Sequence, residues 1–228
     1  LTNHDSVRAV SHLTAYAVEA GRRAEAAKLL LFLLATLRGG AIIFQGEELG
    51  LPQPPMRFED LVDPWSINLW PDFVGRDGVR APLPWEREAA HGGFSSGTPW
   101  LACADGHREL AVDAQEADPD SVLRFLRRLL RWRRQHPVLR YGSETTGAAE
   151  NAPLVVFDRV DDRAHLTVVL NFDLEDRRFP VHPPATLCRD VPGSQAELKD
   201  DALLLPGLGF AVLERGRESA ADFSDTTT

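Results

Sequence analysis

The chain has 228 residues, 43% hydrophobic and 26% charged, enough to bury one large core or two modest ones and ordinary for a soluble protein. Its formal charge of -9, from 34 acidic against 25 basic residues, argues against nucleic acid or an anionic membrane as the main partner and suits neutral substrates. Cys103 and Cys188 lie far apart, with no second Cys or His at metal-ligand spacing; they predict two separate thiols of an intracellular, cytoplasmic protein rather than a disulfide framework or a zinc site.

Leu1-Thr2 reads as the end of a strand that begins elsewhere, and Met56 is the only Met, so the chain reads as the back part of a larger protein. Asn3-His4-Asp5-Ser6, with Arg8, follows on a loop. From about Gly21 to Arg38, Ala, Glu, Lys, Leu and Arg predict a helix stopped by Gly39. Its apolar run from Leu29 to Leu34 is far shorter than the ~20 residues a bilayer needs, so it reads as a helix buried in protein. Ala41-Ile42-Ile43-Phe44, set between Gly40 and Gln45-Gly46-Glu47-Glu48, predicts a short strand buried on both faces. Strand end, loop with His4 and Asp5, helix, strand, loop with Glu47 and Glu48 is the order of consecutive units in a parallel β/α barrel, whose loops share one rim. Asp5, Glu47 and Glu48 would then meet on one face.

Residues 51–106 are rich in Pro, Gly, Trp and Asp and show little periodicity, which in a stretch this long points to function. Trp65, Trp70, Phe73, Trp85, Phe94 and Trp100 are expected to pack this loop internally, with stacking on a sugar ring as the rival role. Asp118-Pro119-Asp120-Ser121 opens an amphipathic helix with Leu123, Phe125, Leu126, Leu129, Leu130 and Trp132 on its apolar face. Arg124, Arg127, Arg128, Arg131, Arg133 and Arg134 crowd its C-terminal part, where the macrodipole favours cations. His136-Pro137 ends the helix. Beyond it, the runs from Leu154 to Phe157, Leu166 to Leu170, Arg178 to Val181 and Phe210 to Leu213 predict a small antiparallel sheet domain. The organisation expected is therefore α/β, with residues 1–137 in one domain, 138–216 in a β-domain, and 217–228 as a disordered tail.

Taken in order, several motifs are jointly recognisable. Leu1-Thr2-Asn3-His4-Asp5 with Arg8, the segment from Gly40 to Gly50, Glu59-Asp60-Leu61 with Asp63-Pro64, and the segment from Gly75 to Trp85 resemble the α-glucosidase and oligo-1,6-glucosidase branch of the α-amylase family, glycoside hydrolase family 13. The likeness covers nearly the whole chain, and Arg131 to Leu139 with Tyr141-Gly142 resembles that family's last barrel helix entering its C-terminal β-domain. One departure is conservative in volume: Ala81-Pro82-Leu83-Pro84-Trp85 stands where the family commonly has Thr-Pro-Met before Pro-Trp or Gln-Trp.

The resemblance implies the C-terminal portion of a (β/α)8 TIM barrel followed by a small antiparallel β-sheet domain. It also implies retaining glycoside hydrolysis, which needs a nucleophile and an acid roughly 5–5.5 Å apart. Both are expected before Leu1, as is any calcium or magnesium site, and no cofactor is expected in this chain. Asp5 would be the transition-state stabiliser, gripping the ring hydroxyls at positions 2 and 3. His4 would donate to the same hydroxyls or be a structural His. Arg80 would contact substrate, or else fix a loop by an ion pair to Asp77 or Glu48. Glu47 and Glu48 resemble carboxylates that anchor loops, and Arg8 is expected to orient Asp5 or a neighbouring loop. The implied activity is removal of terminal α-linked glucose from short oligosaccharides or sucrose, with transglucosylation open. A trehalose synthase or related isomerase, and an inactive binding or assembly subunit, are the alternatives. The partners implied are a small carbohydrate and the preceding part of the same enzyme, with no nucleic acid and no membrane.

Overall fold

The computed structural model describes residues 1–73, 75–147 and 153–216. Its helices are α1 Ala9–His12, α2 Ala15–Glu19, α3 Arg23–Thr36, α4 Pro64–Leu69, α5 Asp77–Arg80, α6 Asp105–Arg108, α7 Val112–Ala117, α8 Val122–Gln135 and α9 Val138–Tyr141. Its strands are β1 Ser143–Gly147, β2 Leu154–Val160, β3 His165–Asn171, β4 Arg177–Pro180, β5 Ala185–Leu187, β6 Glu197–Lys199, β7 Ala202–Leu205 and β8 Phe210–Arg215. The chain forms two compact units, one of Leu1–Leu31 with Ile42–Arg127, the other of Phe32–Ala41 with the chain from Arg128 on. The expected disordered tail, 217–228, lies outside the described residues.

The first unit is helical and loop-rich. Leu49, Leu51 and Leu123 form one of its buried clusters, with Leu83, Leu110 and Val112 against it. In the first half of α3, Ala26, Ala27, Leu29, Leu30 and Leu31 are all buried, as an apolar run without a polar stripe requires. At the start of α8, Ser121 Oγ accepts from the Arg124 backbone N–H at 3.2 Å, the bond of an N-cap. That cap corrects the expected start at Asp118-Pro119: Asp118 instead turns its carboxylate to the Asp120 N–H at 2.9 Å, outside the helix. Gln115 on α7 reinforces the junction, donating to Leu49 O at 2.9 Å and accepting from Leu123 N at 3.1 Å.

The expected strand at Ala41 to Phe44 is not formed. None of the described residues before Ser143 lies in a strand, and Ile42 is 84% exposed. An apolar run becomes a strand only by pairing, and here the Phe44 N–H goes to Glu47 Oε2 at 3.0 Å instead of a ladder. Leu1-Thr2 is likewise irregular, its Thr2 N–H held by Glu47 Oε1 at 3.0 Å. The packing expected inside the aromatic loop is formed in part: Trp65 meets Phe73 edge-on at 6.4 Å and Trp70 lies 6.1 Å from Phe58, while Trp65, Trp85, Phe94 and Trp100 remain 49–67% exposed.

The second unit contains two antiparallel sheets, ordered β1-β2-β3-β8-β5 and β4-β7-β6. Val156, Val169, Leu187, Ala211 and Leu213 from the first sheet and Leu203 and Leu205 from the second form one buried cluster. Central β3 is buried along nearly its whole length, which explains its unbroken Leu-Thr-Val-Val-Leu run. Phe210 stacks on Phe32 of α3 at 4.0 Å between ring centroids. Runs expected as strands correspond to β2, β3, β4 and β8; β1 is polar, β5 and β6 have three residues each, and the apolar β7 was not expected.

Arg159 is buried completely on β2. Its guanidinium donates to Thr36 O, Leu139 O, Val138 O, Gly142 O and Ser143 O at 2.5–3.2 Å, thus satisfying carbonyls left over at the ends of α3 and α9. Burial lowers its pKa, with Glu144 opposing that shift. Arg159→Leu should destabilise the chain by about 3 kcal/mol or more, because it orphans several buried carbonyls at once. A denaturation midpoint unchanged from wild type would contradict this.

His107 gives the first unit a pH dependence. Its Nε2–H donates to Pro52 O at 2.8 Å while Nδ1 is buried without a partner, and burial pushes the pKa down to about 4 from 6.5. The unfolded chain therefore binds a proton that the folded chain refuses, so this contribution is intact above 6.5 and is lost progressively as pH falls toward 4. The loss should be on the order of 3 kcal/mol across that window. His107→Gln keeps a donor for Pro52 and should flatten the dependence, as measured by urea midpoints at neutral pH and at acid pH within the window.

Candidate active site

Arg8 builds the floor of the site. It is 1% exposed, and its Nη1 and Nη2 donate to Gln45 O at 2.9 Å and Val79 O at 3.3 Å. Burial pushes its pKa down to about 10, with Glu48 and Glu47 pulling the other way. Gly46, at φ 92°, is what lets the guanidinium through, since a Cβ there would sit 2.4 Å from Arg8 Nη1. Both guanidinium bonds go to backbone carbonyls, and neither reaches Asp5. Glu47 bridges the Thr2 and Phe44 N–H groups, and Glu48 Oε2 accepts from Gly46 N at 2.6 Å. Burial raises the Glu48 pKa.

The loop above this floor begins with an Asx turn in which Asn3 Oδ1 accepts from Asp5 N at 2.8 Å, while Ser6 Oγ accepts from Asn3 N at 3.0 Å. This turn lifts His4 and Asp5 outward, their side chains 70% and 51% exposed. His4 Nε2 lies 3.1 Å from Asp5 Oδ2. Arg80 Nη2 donates to Asp5 Oδ1 at 2.9 Å and its Nε donates to His4 O at 3.0 Å. His4, Asp5 and Arg80 are thus brought together. The rival pairings of Arg80 with Asp77 or Glu48 are not formed: Asp77 Oδ2 accepts instead from Val62 N at 2.8 Å and Asp63 N at 3.0 Å.

Two residues join the site without having been assigned a role from sequence. Arg76 Nη1 donates to Asp5 Oδ1 at 3.3 Å, and the rest of its guanidinium makes a two-bond pair with Asp63 at 2.8 and 2.7 Å. That pairing holds Asp63 well below the usual carboxylate range. Asp63-Pro64 was the available signal, because an Asp before a Pro marks a helix start, and Asp63 does cap α4 by accepting from Trp65 N at 3.3 Å. Trp65 in turn lies over Arg76, 4.8 Å from ring centroid to guanidinium carbon.

Chemically, the cluster presents one half-exposed carboxylate among two guanidinium groups and an imidazole, suited to accept hydrogen bonds from hydroxyls beside a developing positive charge. Among the described residues, no group of three or more His, Cys, Asp or Glu could hold a metal ion, and no helix is long and apolar enough to cross a membrane.

Residues 1–142 match the family described as Alpha amylase, catalytic domain. Over 151 residues, covering 64% of this chain and 27% of the relative, the sequence is 46% identical to a probable α-glucosidase of Rhizobium meliloti strain 1021. It is 30% identical over 192 residues to an oligo-1,6-glucosidase of Parageobacillus thermoglucosidasius, covering 75% of this chain and 33% of that protein. The solved structure of the α-glucosyl transfer enzyme XgtA superposes with a TM-score of 0.87 at 36% identity, covering 95% of this chain and 39% of that one. The chain thus spans about a third of the length of the relatives it matches. On the extent of these matches, the chain belongs to the α-amylase family, glycoside hydrolase family 13.

Proposed function

We propose that this chain supplies the sugar-gripping part of a retaining α-glucosidase acting on terminal α-linked glucose of short oligosaccharides or sucrose. The observation that carries the reading is Asp5: a half-exposed carboxylate with two arginines on Oδ1 and His4 beside Oδ2. Asp63 and Asp77 are 3% and 0% exposed and accept from backbone N–H groups, so neither is placed to react with a sugar. In this proposal the nucleophile and the general acid lie outside these residues, as part of a (β/α)8 barrel to which residues 1–137 belong, with 138–216 as its β-domain. A calcium or magnesium site, if the enzyme has one, lies there too. The cytoplasmic location is part of the same reading, supported by Cys103 and Cys188, which are not joined in a disulfide.

The mechanism asked of Asp5 is differential binding. Its carboxylate accepts from the hydroxyls at positions 2 and 3, and those bonds strengthen as the ring acquires oxocarbenium character, adding to kcat more than to ground-state affinity. His4 would donate to the same hydroxyls, and Arg80 would contact the sugar. Hydrolysis and transfer share the glucosyl-enzyme, and the likeness to an α-glucosyl transfer enzyme favours transfer to a second sugar as an accompanying outcome. Chromatography of products from maltose or sucrose distinguishes the two.

Asp5→Asn in the complete enzyme should lower kcat by several orders of magnitude, equivalent to about 4 kcal/mol or more of transition-state stabilisation. Near-normal kcat with only a raised KM would reduce Asp5 to a binding residue. Arg80→Ala should act chiefly on KM, and an unchanged KM would remove Arg80 from the sugar. The 228-residue chain alone should not hydrolyse p-nitrophenyl α-glucoside; turnover by it would show that the reacting carboxylates lie within it.

A further inference from the structure

We infer that Arg76 is the positioning residue for Asp5, holding its carboxylate from behind through a brace built by Asp63 and Trp65; this rests on the reading of Asp5 given above. Two arginines reach Asp5 Oδ1, but they are anchored differently. Arg80 donates to Asp5 and to the carbonyl of His4, so both bonds end on the loop that carries the carboxylate. Arg76 ties that loop to a separate, buried support.

The support is fixed at every joint. Asp63 has a side chain only 1% exposed and accepts from Arg76 Nε at 2.8 Å, Arg76 Nη2 at 2.7 Å and the Arg76 backbone N–H at 3.2 Å. This fork-to-fork geometry fixes direction as well as distance. Asp63 is in turn held as the cap of α4, and its own N–H donates to Asp77 Oδ2 at 3.0 Å. The Trp65 ring covers the guanidinium face. Gly75, at φ 69°, brings Arg76 in so closely that a Cβ at position 75 would lie 1.5 Å from Ser66 Oγ.

A guanidinium held in this way presents Nη1 at one point. Asp5, half exposed on a turn, depends on that point for its orientation. With both arginines on Oδ1, Oδ2 beside His4 Nε2 is the oxygen left to a sugar hydroxyl. An ordinary structural ion pair would stabilise the loop without coupling to the reaction; a positioning residue is silent once Asp5 no longer carries its charge.

The test is a double-substitution cycle in the complete enzyme with maltose as substrate. Arg76→Lys keeps a cation beside Asp63 but cannot make two bonds to it and still reach Asp5, so it should fold. It should lower kcat by about 10- to 100-fold, as displacement of a reacting-centre group does, and leave KM within roughly threefold. Arg76→Gln should lose at least as much. In an Asp5→Asn background Arg76→Lys should change the residual kcat by less than about twofold. Equal losses in both backgrounds, or no loss in the wild-type one, overturn the positioning role while leaving Asp5 in place. Near-normal kcat in Asp5→Asn alone overturns the reading of Asp5 and this role with it. A thermal melt of each variant removes unfolding as the cause, and if Arg76→Lys melts out, Trp65→Leu makes the same comparison by loosening the brace from its other face.

Discussion

Long irregular segments leave backbone carbonyls without ladder partners, and in this chain arginine side chains supply the missing donors. Arg8 holds Gln45 O and Val79 O; Arg108 holds Arg87 O and Ala89 O; Arg23 holds Gly50 O. In the second unit Arg133 holds Ala35 O and Gly39 O, and Arg159 gathers the carbonyls around α9. A planar group with five donors is suited to this work, since one side chain can satisfy several acceptors that face different ways. The turn carrying His4 and Asp5 and the short helix carrying Arg80 therefore have defined positions without lying in a sheet.

Carboxylates do the reverse for orphan N–H groups, and the contrast sets Asp5 apart from its acidic neighbours. Glu47, Glu48, Asp63 and Asp77 all accept from backbone N–H groups, which uses their charge to hold chain segments together. Among the described residues, Asp5 accepts only from side chains that are themselves cationic or titratable, and half of it faces solvent. Its charge is oriented by the protein without being used up by the backbone. That distinction is one of wiring, and it is why the proposed sugar-gripping role falls to Asp5 and not to its acidic neighbours.

Much of this was legible in the chain itself because it rests on local chemistry. Helix α3 announces itself by composition and α8 by its apolar face, and β2, β3 and β8 appear as apolar runs between turns. His4, Asp5 and Arg80 could be named together from their motifs. What was not legible depends on partners distant in sequence. Ala41 to Phe44 has the residues of a strand and no strand to pair with among those described. Arg133 reads as a surface cation near a helix end, yet is 9% exposed because carbonyls of Ala35 and Gly39 wait for it. Arg76 and Asp63 stand in the motifs, but only the fold brings them within 2.7 Å of each other.

The run Gly75-Arg76-Asp77 carries three unlike demands in consecutive positions: no side chain at 75, a forked cation at 76, and a buried acceptor of two backbone N–H groups at 77. No single exchange of residues can trade one demand for another, so the run offers few routes by which substrate preference could drift. His4, 70% exposed and fastened through its backbone, is under no such restriction. Under the proposed function, new sugar specificities reached through this part of the molecule in a laboratory evolution experiment would enter by the turn at 3–6 while 75–77 stayed as they are.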